Sequence, residues 1–188
     1  DDRGGCAGAQ PGAAANGDGG GGGVETVTGG LLELLAYSDH ERAKWRAWVE
    51  ADPSRLGLPF QTGARFATLG SVLDHVFLVE RRHLSRMEGA TPPDSTGVVA
   101  GDVKQLFEYA ELVREDFRRF VTTLDDVTAA APFTFTIPSG PQTMSRRKLA
   151  THVVLHEVRH LAQMAHAARA AGVGPPGDHD LFFFDGYD

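Results

Sequence analysis

Between Val103 and Leu124 the residues Val103, Leu106, Ala110, Val113, Phe117, Phe120 and Leu124 recur at alternating steps of three and four. That spacing draws one apolar seam along an α-helix and fits no strand. A seam of this length has to be covered by other helices. The rest of the chain supplies three. Leu31, Leu35, Ser38, Arg42, Trp45 and Val49 share one helical stripe that Asp52-Pro53 stops. A second periodic stretch runs from about Thr68 to Met87 and closes at Gly89, where a C-terminal cap belongs. Asp102 is placed to cap the seam helix, and Ser145 to cap a last helix that ends at Gly172. Just before it, Phe133 to Ile137, the turn Pro138-Ser139-Gly140-Pro141 and Gln142-Thr143-Met144 read as a short hairpin. The expected fold class is all-α, a four-helix bundle with a short hairpin before the last helix.

Twelve of the 23 glycines lie within residues 1 to 30, among almost no apolar bulk. Residues 1–29 therefore read as a disordered tail and 30–188 as one domain. A phosphate-binding loop would need a preceding strand and a following Lys-Ser or Lys-Thr pair, which this glycine run lacks. The net charge of -7 sits at the two ends, and the body is balanced and interspersed. No domain-wide positive field exists to attract nucleic acid. No apolar run reaches the ~18 to 20 residues of a membrane span, and no basic start leads an apolar block. A cytoplasmic protein is expected. The single cysteine, Cys6, can form neither an internal disulfide nor a multi-cysteine zinc site.

The histidines carry the chemistry. His152, His156 and His160 follow one another at steps of four in the last helix, and with Gln163 they span an arc of only ~80°. Leu149, Val153 and Met164 occupy or border that arc, so the imidazoles are expected to face the core. In the second helix His75 lies beside Val72, Val76 and Val79. Clustered inward imidazoles are costly unless each nitrogen finds a partner, and one divalent ion can serve several. A pair at i, i+4 plus one histidine from a facing helix makes three nitrogen ligands with positions left open, the arrangement of a catalytic site. Gln163 is read as contacting a group around that site. His40, His83, His166 and His179 are read as ordinary residues. Glu80-Arg-Arg-His83 and Glu157-Val-Arg-His160 also match the Glu-x-x-His spacing of di-iron bundles. That reading is set aside: both glutamates fall at the margins of the apolar arcs, and the seam helix offers no inward Glu.

Helix four, with His156-Glu-Val-Arg-His160-Leu-Ala-Gln163, resembles the His-x-x-x-His-x-x-Gln helix of the DinB-like (YfiT-like) metalloenzymes, which usually carry Arg-Gly where this chain has Leu161-Ala162. Leu73-Asp74-His75 followed by Glu80 resembles the segment giving that family's third histidine. Leu34-Leu35-Ala-Tyr37 with Trp45 is similar to its first helix. The resemblance covers about Leu31 to Asp188. It implies a left-handed-threaded bundle in which His75, His156 and His160 bind one divalent ion, Zn, Ni or Fe. It further implies a thiol-dependent S-transferase acting on a small molecule, since relatives join bacillithiol, mycothiol or glutathione to electrophiles or isomerise maleylpyruvate with a thiol. A metal-dependent hydrolase and a non-enzymatic metal-stabilised bundle are the alternatives. His152, Gln163, Glu157 and Glu80 are expected near the site, either glutamate as a base or an acceptor. Phe182, Phe183 and Phe184 are expected to be buried, against the bundle or against a second copy in a homodimer.

Overall fold

The structure, a computed structural model, describes residues 27–60 and 65–186. The expected tail lies outside the described residues up to position 26, and positions 27 to 29 already belong to a helix. Four long helices form: α1 (Val27–Ala51), α2 (Leu69–Met87), α3 (Val103–Thr122) and, after a short α4 (Asp126–Ala130) and the strands β1 (Pro132–Ile137) and β2 (Gly140–Ser145), α5 (Arg146–Ala170). α1 and α2 each pack against both α3 and α5, which closes a four-helix bundle. None of the helices is long and apolar enough to cross a membrane among the described residues.

The caps follow the local sequence. Thr68 and Ser71 form a reciprocal capping box at the start of α2. The Asp102 carboxylate accepts from the Gln105 N–H, and the Ser145 hydroxyl from that of Lys148. Gly89 and Gly172, at φ 76° and 75°, adopt the left-handed conformation just beyond α2 and α5. β1 and β2 pair antiparallel from Pro132↔Ser145 to Ile137↔Gly140. Phe133, Phe135 and Ile137 turn inward while the intervening residues face solvent. The hairpin thus stands as a flap on one end of the bundle, with the Arg146 and Arg86 guanidiniums over Phe133 and Phe135.

Two apolar clusters fill the bundle. One gathers Trp45, Phe77, Phe107, Leu161 and Met164; the other gathers Leu35, Leu84, Phe117, Leu149 and Val153. Between them lies a buried charged layer to which every long helix contributes: Ser38 and Arg42 from α1, Glu80 from α2, Arg114 from α3 and Glu157 from α5. Arg42 Nε donates to Glu157 Oε1 at 2.8 Å and its Nη2 to Glu80 Oε2 at 2.6 Å. Arg114 Nε pairs with Glu80 Oε1 at 2.8 Å, its Nη2 reaches Glu157 Oε2, and Ser38 Oγ donates to that same oxygen at 2.6 Å. Two buried cations meet two buried anions, and at the edge of the layer the half-buried Asp39 lies 3.1 Å from Arg114 Nη1 and also pairs with Arg118. Buried pairs of this kind contribute more to specific alignment than to net stability. Here the registry assigned is that of the four helices.

The first turn of α2 passes very close to the loop that leads into α3. A Cβ on Gly70 would stand 2.4 Å from the Ala100 carbonyl oxygen and 3.3 Å from the Leu56 Cβ. Gly70→Ala is therefore expected to destabilise the fold by about 1–3 kcal/mol through overpacking, outweighing the roughly 1 kcal/mol that alanine gains in helix propensity. Urea denaturation checks this; an unchanged or higher midpoint would mean that the loop yields.

The C-terminal segment departs from expectation. Phe184 packs on Tyr37 and His40, and the His179 ring stacks on Trp45 with Nδ1 bonded to Glu41. Phe182 and Phe183 are 84% and 62% exposed. The segment is thus fastened by His179 and Phe184, and the short 3-10 turn at Leu181–Phe183 directs the two intervening rings outward.

Candidate metal centre

The bundle brings His75 of α2 together with His156 and His160 of α5. One nitrogen from each lies within 4.8 Å of the others. The i, i+4 pair shares one face of α5, and the packing of α2 against α5 carries His75 to that face. The ring centroids are 5.2 Å apart for His75 and His156, 5.3 Å for His75 and His160, and 4.5 Å for His156 and His160. Phe66, from the segment leading into α2, lies 4.6 Å from the His75 ring and edge-on to His160 at 6.0 Å. His160 is buried, and its Nδ1 has no hydrogen-bond partner. A buried, unpartnered ring nitrogen is the condition that an ion would relieve. The donor set, three imidazoles and no carboxylate, suits a borderline divalent ion such as zinc, nickel or ferrous iron.

Burial keeps these rings neutral, which is the form that binds metal. It pushes His75 down to about 4 and His156 to about 3, each helped by neighbouring imidazoles and arginines. His160 is lowered by burial and by Arg159, with the Gln163 side chain opposing. In metal-free protein the unfolded chain takes up these protons near pH 6.5 while the folded chain still refuses them. Folding stability should therefore be complete above about pH 6.5 and decline as the pH falls toward about 4 and 3, the folded values for His75 and His156. Calorimetry of chelator-treated protein at pH 7 and 5 tests this against His75→Gln, which should lose less on acidification. Equal losses would contradict it.

The structure places the remaining candidates differently. His152, expected to be buried, is exposed. It sits one turn before His156, where α5 passes beneath the hairpin, and its ring meets that of His83 at 5.4 Å. His83, expected to be ordinary, is therefore part of the same line of rings, with its Nδ1 3.2 Å from Arg86 Nη1. Gln163 is exposed beside His160.

Glu157 and Glu80 require correction as candidate bases. Both point into the charged layer, where Arg42 and Arg114 occupy their oxygens. Burial alone would raise the Glu157 carboxyl, but the two guanidiniums outweigh it and hold it below the usual carboxylate range. Ion pairs of this kind commit both carboxylates to the charged layer. Arg114, which holds them there, was missed from the sequence. The signal was its position between Ala110 and Phe117 on the seam, at the level where Arg42 interrupts the stripe of α1.

No curated protein matches the sequence. The DinB family matches it over residues 25–186, which takes in all four long helices, the hairpin and the three converging histidines. This chain, a four-helix bundle whose three-histidine cluster can hold a metal ion, belongs to the DinB family.

Proposed function

We propose that this protein is a metal-dependent enzyme that joins a low-molecular-weight thiol to a small electrophile, with His75, His156 and His160 holding one zinc, nickel or iron ion. The observation that supports it is the convergence of three imidazoles from two helices, with a buried His160 nitrogen left unpartnered. Three protein donors leave coordination positions for an incoming molecule. When bound, the ion supplies Lewis acidity that favours the deprotonated form of a thiol or of water.

The chain's own residues then have definite tasks. The imidazoles keep their lone pairs for the ion because burial holds them neutral. Phe66 packs against the His75 ring and edge-on to His160, which gives the cluster an apolar neighbour. Glu80 and Glu157, paired with Arg42 and Arg114, hold the helices in register. With Cys6 as its single cysteine, outside the described residues, the protein is read as relying on the cosubstrate for sulfur. Bacillithiol, mycothiol and glutathione are the cosubstrates considered, and the cytoplasm, where such thiols stay reduced, is the setting this reading implies.

Titrating the cobalt- or nickel-substituted protein with each thiol is expected to produce a sulfur-to-metal charge-transfer band for at least one, lost in His75→Ala. Turnover of an electrophile panel with that thiol should follow. Ester or amide turnover without thiol would establish a hydrolase instead. A metal-loaded protein silent in both panels would be a metal-stabilised bundle without this activity.

A further inference from the structure

The hairpin does not lie flush on the bundle. Beneath it is a cavity of about 210 Å³, walled by Phe135, Ile137 and Met144 from the strands and by Leu149 from α5, with His83 and His152 among its lining. The inward side chains of the hairpin are only half-buried, so they present apolar surface that the protein itself leaves uncovered. His152 belongs to this wall, and its ring is 5.7 Å from that of His156. The cavity and the three-histidine cluster are therefore neighbours on one face of α5, separated by one helical turn of roughly 6 Å.

We infer that this cavity receives the apolar end of the small-molecule substrate, and that the substrate accordingly carries an aryl or branched-alkyl group about one ring in size, joined to its reacting atom by a short link. The inference rests on reading the three-histidine cluster as the reacting centre. Size sets the occupant: an apolar cavity of ~150 Å³ accepts benzene, while drug-sized ligands need pockets of about 300 Å³ or more. Chemistry sets it too: Phe135, Ile137, Met144 and Leu149 reward apolar burial, while His83, Gln142, Lys148 and His152 add a few polar groups to the lining that can hold the polar end of the same molecule. The two-residue turn at Pro138-Ser139 ties the strands so that Ile137 and Met144 move as one wall.

The three methionines make this measurable without knowing the substrate. In protein labelled with 13C at the methionine methyls, phenylacetate and cyclohexylacetate should shift the Met144 signal and acetate should not. Met164, fully buried in the other core cluster, should stay in place. Ile137→Trp, which fills the cavity, should abolish the shift, while Thr134→Trp on the solvent face of β1 should preserve it. In protein verified to carry cobalt, the bound probe's protons should relax faster than in the zinc form. No Met144 shift with either ring-bearing probe overturns the inference, as does a shift that survives Ile137→Trp. A shift without cobalt-enhanced relaxation also overturns it, since the cavity would then lie apart from the reacting centre. Protein that takes up no metal would sink the metal reading by itself, and the Met144 shift would still report whether the cavity binds apolar groups.

Discussion

Glu157→Ala is expected to cost about 3–5 kcal/mol of folding stability, because it leaves the buried Arg42 and Arg114 guanidiniums with Glu80 as their one fully buried carboxylate, the half-buried Asp39 reaching Arg114 alone. For a domain whose total stability is on the order of 5–15 kcal/mol this is a large fraction. The melting temperature should fall by on the order of 10 °C in a scanning calorimeter. Glu157→Gln should fall less, since the amide can still accept from Ser38. Pairing Glu157→Met with Arg114→Met should recover part of the loss, because the double change removes cation and anion together. The outcome separates two roles for this glutamate. A base in the reaction would lose activity at an unchanged melting temperature, and that result would contradict the structural role.

Metal content should respond to the histidines in the opposite manner. Purified protein reconstituted with a divalent ion is expected to hold about one equivalent per chain, and His156→Ala to lose it. Removing one of three nitrogen donors should weaken binding by more than the roughly 10–100-fold typical of losing a supporting partner. His156 is half-exposed at the mouth of the cluster, so its truncation leaves the two apolar cores and the charged layer intact. The variant's melting temperature without metal should stay near that of the chelated parent. Elemental analysis after gel filtration decides the matter, and unchanged stoichiometry in His156→Ala would remove these residues from consideration as ligands.

His152 and His156 show how far periodicity carries. Spacing of four puts both on one face of α5, and it does so for any helix whatever its neighbours. Whether that face is covered depends on which elements pack there. α2 covers it at His156 and His160, while at His152 the hairpin stands off and leaves the ring exposed. The same holds for Glu80 and Glu157. Their place at the margin of an apolar arc was legible; the side to which they turned was not. That was decided by Arg42 and Arg114, two residues from helices far apart in the chain.

By itself the sequence determined the four helices, their caps and the hairpin turn, because those depend on interactions within a few residues: side chains at three and four steps, hydroxyls and carboxylates bonding the next free N–H, glycines at positive φ. It also determined that His156 and His160 form an i, i+4 pair. The tertiary structure alone decided that His152 stays outside the cluster His75 completes, that the glutamates form a charged layer with Arg42 and Arg114 between two apolar cores, and that Phe184 docks while Phe182 and Phe183 do not. Each of those outcomes depends on contacts between residues tens of positions apart, where burial and charge pairing across helices select one partner among several that local spacing leaves equal.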